Sequence, residues 1–135
     1  MKSSLRNLEL ALASLKTVTL YRPVGPKELE LIKESGYKAF PPRLPEQPIF
    51  YPVVTHEYAV EIAKSWNSVS QDNDFEGYVT RFKVKEEYIS QFEIKQAGSS
   101  LHLEYWIESE ELENFNRNII GFIEVTDSFK NNKRI

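Results

Sequence analysis

The chain has 135 residues, of which 41% are hydrophobic and 27% charged, with a formal net charge of -3; this size and balance suit one compact domain around one core. Lysines and arginines are scattered rather than gathered into a stripe, so nothing neutralises a run of phosphates, and nucleic acid is not expected as a partner. Cysteine is absent, which removes disulfides, thiolate catalysis and cysteine-based zinc sites together and fits a reducing, cytoplasmic setting.

At the amino terminus Leu5, Leu8, Leu12 and Leu15 recur at the spacing of an amphipathic helix, which Ser3 or Ser4 would cap. Residues 1–16 are therefore read as an accessory helix, which either packs back on the domain or pairs with a second copy as a homodimer seam. Glu9 interrupts its apolar run, so it is no signal peptide, and no continuous stretch of the sequence reaches membrane length. The main domain is placed at 17–129. It opens with the strand TVTLYR, Thr17 to Arg22, closed by Pro23 and Gly25. Pro26 stands at the first position of the helix KELELIKES, which Gly36 ends.

The segment Pro41 to Val53, PPRLPEQPIFYPV, is stiffened by Pro41, Pro42, Pro45 and Pro48 and carries Arg43 and Gln47. Rigid prolines at a strand entrance serve either to block edge pairing or to hold a ligand-gripping wall. IFYPVV follows as a short strand, and Thr55 caps the helix HEYAVEIAKSWN, with Tyr58, Ala59, Ile62, Ala63 and Trp66 on one face. SVSQDNDFE is a polar loop. GYVTRFKV alternates as a half-buried strand, with Tyr78, Thr80, Phe82 and Val84 on one side. EEYIS makes one helical turn, FEIKQ and LHLEYWI are strands joined near Gly98, SEELENFN is a short acidic helix, and IIGFIEV is the last strand. The tail 130–135, KNNKRI, is expected to fray. This order predicts an α+β fold with a largely antiparallel sheet.

On LHLEYWI a period of two sends Leu101, Leu103, Tyr105 and Ile107 to one face and His102, Glu104 and Trp106 to the other. The second face is either a solvated exterior or the floor of a cleft, where a carboxylate stabilises a developing cation and an indole stacks on a flat ring. Arg22 ends the first strand, where a guanidinium serves equally as a surface ion pair or as a holder of phosphate and ribose. His56 and His102 have no second metal-ligand pattern, so no metal is expected.

The order of these motifs resembles the ADP-ribosyltransferase superfamily. Over roughly Thr19 to Phe129 it is similar to small uncharacterised bacterial proteins with an ADP-ribosylation-type label, through LYRPVGPKELELI, AFPPRLPEQPIFYPV, HEYAVEIAKSWN, GYVTRF, HLEYWIESEELENFN and IIGFIEV. The resemblance implies a split, mainly antiparallel sheet with helices packed on it and a reaction that consumes NAD, transferring ADP-ribose to an unknown acceptor or to water. It assigns Arg22 to the dinucleotide, Tyr51 to the nicotinamide pocket and Glu104 to catalysis. Arg43 is then placed for a pyrophosphate, Gln47 for a hydrogen bond near the ring, and Trp106 for stacking, with His102 beside them. Two departures from the arginine-specific toxins, no serine-threonine-serine run and His102 where those enzymes carry another acid, count against protein-arginine modification and leave NAD binding standing. The alternative is a non-catalytic nucleotide- or protein-binding module on the same fold, of an interaction or immunity type.

Overall fold

The computed structural model describes residues 15–135 and, before them, Asn7 alone. Leu5, Leu8 and Leu12 of the expected amino-terminal helix lie outside the described residues; Leu15, at their edge, is exposed.

Strand β1, Thr17–Val24, pairs antiparallel with β3, Glu76–Lys85, placing Leu20 opposite Phe82 and Arg22 opposite Thr80. The alternation read in GYVTRFKV holds from Phe82 on, where Phe82 and Val84 are buried and Arg81 and Lys83 exposed. At its start β3 is buried on both sides, because the helix His56–Ser65 covers the face carrying Val79. β3 in turn pairs with β7, Ile119–Lys130, through two register shifts. One of them holds Gly121 at φ 79°, a conformation that costs glycine least. The sheet runs β1-β3-β7 and closes on a short fourth strand, β8, Lys133–Arg134.

The expected frayed tail is a correction. Residues 133–134 form strand β8, pairing Lys133 with Lys130 and Arg134 with Phe129. Three further contacts fix it: Asn132 N donates to buried Ser68 Oγ at 2.9 Å, Ile135 N to Ser128 O at 2.9 Å, and Arg134 Nη1 to Asp127 Oδ2 at 2.5 Å. Five polar or basic residues in a row read as a solvated end; backbone pairing and one buried carboxylate override that composition.

Helix α1, Pro26–Glu34, starts at the proline read from sequence and ends with Gly36 at φ 76°. It buries Leu29 and Ile32. Helix α2, His56–Ser65, is capped by Thr55, whose Oγ1 accepts from Tyr58 N at 3.2 Å. α2 buries only Ala59 and Ala63 against the sheet, and Gly77 lets it come that close: a Cβ there would lie 2.2 Å from Ala63 O. Trp66, expected on the core face, is 70% exposed, since small side chains on α2 leave no depth for an indole. After β3, a single helical turn, α3, spans Glu86–Ile89; shortly before β7 comes α4, Leu112–Arg117. The main core joins Phe40, Phe50, Phe82 and Phe115, with Phe40–Phe82 and Phe40–Phe50 centroids at 4.9 and 5.0 Å; burial on this scale is the dominant stabilising term.

Two expected strands break, and the breaks build the site. IFYPVV is continuous only as β2, Ile49–Phe50, because Pro52 has no N–H to extend a ladder. LHLEYWI divides at Trp106 into β5, Leu103–Tyr105, and β6, Ile107–Glu108, which take different partners: β5 pairs with β4, Ile94–Gln96, and β6 with β2. Leu101 lies outside both strands and is exposed rather than on the core face. Between β1 and β5 the sheet narrows to one residue. Val53 exchanges both backbone hydrogen bonds with Tyr21, at 2.8 and 2.9 Å, and bridges to Glu104 on its other side. The protein is thus α+β with a mainly antiparallel sheet. Among the described residues no helix is long and apolar enough to cross a membrane.

Candidate functional site

A ladder one residue wide at Val53 leaves the flanking side chains of β1 and β5 without a neighbouring strand to cover them. The resulting cavity, about 290 Å³, is lined by Arg22 and Pro23 of β1, Tyr51 and Val53 of the linking segment, Tyr58 and Ile62 of α2, and Glu104 of β5. Its size is at the small end of ligand pockets, enough for a flat ring with a sugar but not for a whole dinucleotide. A larger hollow, about 440 Å³, lies beside Leu15, Lys16 and Glu86; among the described residues it gathers surface lysines and glutamates and no convergent set of buried polar groups, so the smaller cavity is the chemical candidate.

Glu104 is 7% exposed, and both of its oxygens are held. Tyr58 Oη donates to Oε1 at 2.9 Å, and Trp106 Nε1–H donates to Oε2 at 2.9 Å. Two neutral donors fix the carboxylate's rotamer without cancelling its charge. Burial pushes the Tyr58 hydroxyl up to about 12, helped by its bond to Glu104 and by that group's negative charge, so Tyr58 remains the donor throughout the physiological range. Trp106 is held in turn by Lys95, whose Nζ lies 5.4 Å from its ring centre, and by Tyr51, whose ring meets it edge-on at 6.3 Å. His102 stacks on Tyr58 at 4.5 Å and pairs through Nε2 with Glu61 Oε2 at 2.8 Å. His102 therefore stands behind Tyr58 and outside the cavity that Glu104 lines.

Arg22 reaches the same cavity from the opposite wall but is already engaged. Glu28, in the first turn of α1, receives Nε on Oε2 at 2.6 Å and Nη2 on Oε1 at 2.8 Å, a bidentate pair. The guanidinium lies 4.6 Å over the Phe50 ring, and Nη1 reaches Tyr51 O at 3.4 Å. Arg43 Nη1 approaches the same Glu28 at 3.8 Å, so two guanidiniums share one carboxylate. Burial, then repulsion from Arg22, lowers the Arg43 pKa, and its Nε is buried with no protein partner. Arg43 thus stands behind Arg22 and does not itself line the cavity. Gln47 closes a local turn instead: its N donates to Leu44 O at 2.8 Å and its Oε1 accepts from Leu44 N at 3.4 Å, and it too is absent from the lining.

The structure therefore brings Arg22, Tyr51 and Glu104 together around one space, with Trp106 bound to Glu104 at its margin. Tyr58 and Glu28 are the two contributors that sequence reasoning did not assign. Tyr58 was visible only as part of an apolar stripe, and Glu28 only as an acid in a helix's first turn. Among the described residues no group of three or more metal-ligating side chains converges. No family model, curated protein or solved structure matches the chain.

Proposed function

We propose that the protein is ADP-ribosyltransferase-like: it takes NAD as a substrate, cleaves the nicotinamide–ribose bond and passes ADP-ribose to water or to another nucleophile. The observation that carries this reading is that one cavity draws an arginine, a tyrosine and a buried glutamate from three segments far apart in sequence. The bond between the ribose C1′ and the ring nitrogen breaks with its electron pair moving to nicotinamide, which leaves neutral. Positive charge then spreads over C1′ and the ring oxygen of the ribose. The Glu104 carboxylate, oriented by Tyr58 and Trp106, stabilises that charge; a preorganised group in this role typically contributes ~10²-fold or more in rate. Tyr51 offers its ring to nicotinamide, and Arg22 meets the phosphates with Nη1 or by exchanging Glu28 for them. The acceptor attacks C1′ and releases its proton to solvent.

A second reading has its own support. Glu28 already occupies two donors of Arg22, and both oxygens of Glu104 are satisfied internally, which favours a recognition cleft that binds a nucleotide without turnover. Incubating the purified protein with NAD, while following released nicotinamide and the quenching of Trp106, separates the two. Release supports the enzyme, quenching without release supports the recognition cleft, and neither at millimolar NAD removes both.

A further inference from the structure

Helix α2 carries more apolar surface than the core takes up. Ala59 and Ala63 are buried, whereas Tyr58, Ile62 and Trp66, with Glu61 and His102, face a second hollow of about 330 Å³. Tyr58 and Ile62 line both hollows, so the two adjoin. Positions 58, 61, 62 and 66 share one side of a helix by its 3.6-residue period. Trp66, at the helix's carboxyl end, supplies an indole that is 70% exposed and that no packing in the fold accounts for.

The charge of this wall is one-sided. Glu61 is its carboxylate, half-exposed, and among the described residues no lysine or arginine lines it. Ser99 N–H donates to His102 Nδ1 at 3.3 Å, and the ring's other nitrogen, Nε2, lies 2.8 Å from Glu61 Oε2, which holds the carboxylate at the edge of the hollow. An indole face, a branched aliphatic floor and a half-exposed carboxylate together match a compact organic cation, whose charge is drawn to both indole and carboxylate while its alkyl groups cover Ile62. An anion would meet Glu61, and a neutral apolar ligand would leave that carboxylate poorly solvated.

We propose that this hollow is a binding site for an alkylated ammonium group, with Trp66 as the π surface and Glu61 as the counter-charge. The proposal is independent of the dinucleotide reading, because none of its recognition groups is Arg22, Tyr51 or Glu104.

The test uses the full chain, choline as probe, and its neutral carbon isostere 3,3-dimethyl-1-butanol. The chain has two tryptophans, so a nitrogen–proton correlation spectrum shows two indole resonances, and Trp66→Leu identifies which belongs to Trp66. Choline should move the Trp66 resonance saturably, while the isostere at equal concentration leaves it in place. Glu61→Gln preserves the acceptor for His102 and should weaken choline binding by about fivefold or more, with a backbone amide spectrum that remains folded. The proposal is overturned if choline gives no saturable shift of Trp66 up to about 50 mM, the weak end expected for such contacts. It is also overturned if the isostere shifts Trp66 equally, if only Trp106 responds, or if Glu61→Gln binds choline as tightly as wild type.

Discussion

Asp127 offers a prediction whose size follows from the geometry. Its carboxylate is 8% exposed, on β7, and receives Thr126 Oγ1 and His56 Nε2 on Oδ1, each at 2.6 Å, and Arg134 Nη1 on Oδ2 at 2.5 Å. Burial alone would raise its pKa, but the hydrogen bonds from Thr126, Arg134 and His56, with the charge of His56, outweigh burial and hold it at about 2, against an ordinary 3.8. A depressed carboxyl pKa stabilises the fold above the unfolded value and loses that contribution as pH falls through the folded one. The difference of nearly two units corresponds to ~2.5 kcal/mol near neutral pH, falling to roughly half of that by about pH 3. Asp127→Asn removes the charge and turns an amide N–H2 toward one of three donors, so it should lower stability by ~2–3 kcal/mol near pH 7. Urea unfolding of both proteins from about pH 7 down to about pH 3 reads the difference directly, and the gap should narrow as the wild-type carboxylate protonates. A gap unchanged over that range, or under ~0.5 kcal/mol near pH 7, would refute the reasoning.

Three further outcomes are expected. Gly77→Ala should destabilise by ~2 kcal/mol or more in thermal or urea unfolding, because its Cβ would enter Ala63 O and Asn67 Cβ, whereas Gly36→Ala, strained only by its positive φ in open space, should cost ~1 kcal/mol. Arg22→Ala leaves Glu28 without its bidentate partner, so both the melting temperature and NAD affinity should fall; retained affinity would remove Arg22 from the site. Trp106→Phe and Tyr58→Phe each delete one donor to Glu104 and should lower nicotinamide release by about tenfold with little change in KM; an equal rise in KM would instead make them substrate contacts.

Local signals were legible wherever one residue determines a backbone conformation. Pro26 and Gly36 bound α1, Thr55 caps α2, and the alternation in GYVTRFKV marks a strand of the main sheet. The candidate site was legible at Arg22 and Glu104, whose strands flank the single-residue bridge at Val53, and at Tyr51. What failed were inferences that needed to know what lies across the sheet. Trp66 fits the apolar periodicity but not the depth available under alanines, Leu101 falls outside the strand that its periodicity implied, and the tail's polar composition concealed the pairing of Lys133 and Arg134 with β7. Arg43 and Gln47 share a rigid segment with Tyr51, yet one folds back on Glu28 and the other on its own turn. Tyr58 meets Glu104 across 46 positions of sequence, a contact that no local pattern encodes.

Nicotinamide release by wild type and Glu104→Gln, measured beside the NAD affinity of each, tests the central claim most directly. Gln fits the site without strain: its amide oxygen can accept from Trp106 Nε1–H, and its amide N–H2 can donate to Tyr58 Oη, whose phenol oxygen also has acceptor capacity. The account predicts that wild type releases nicotinamide, and that Glu104→Gln binds NAD nearly as well but turns it over at least ~10²-fold more slowly. Equal rates in the two proteins would contradict it.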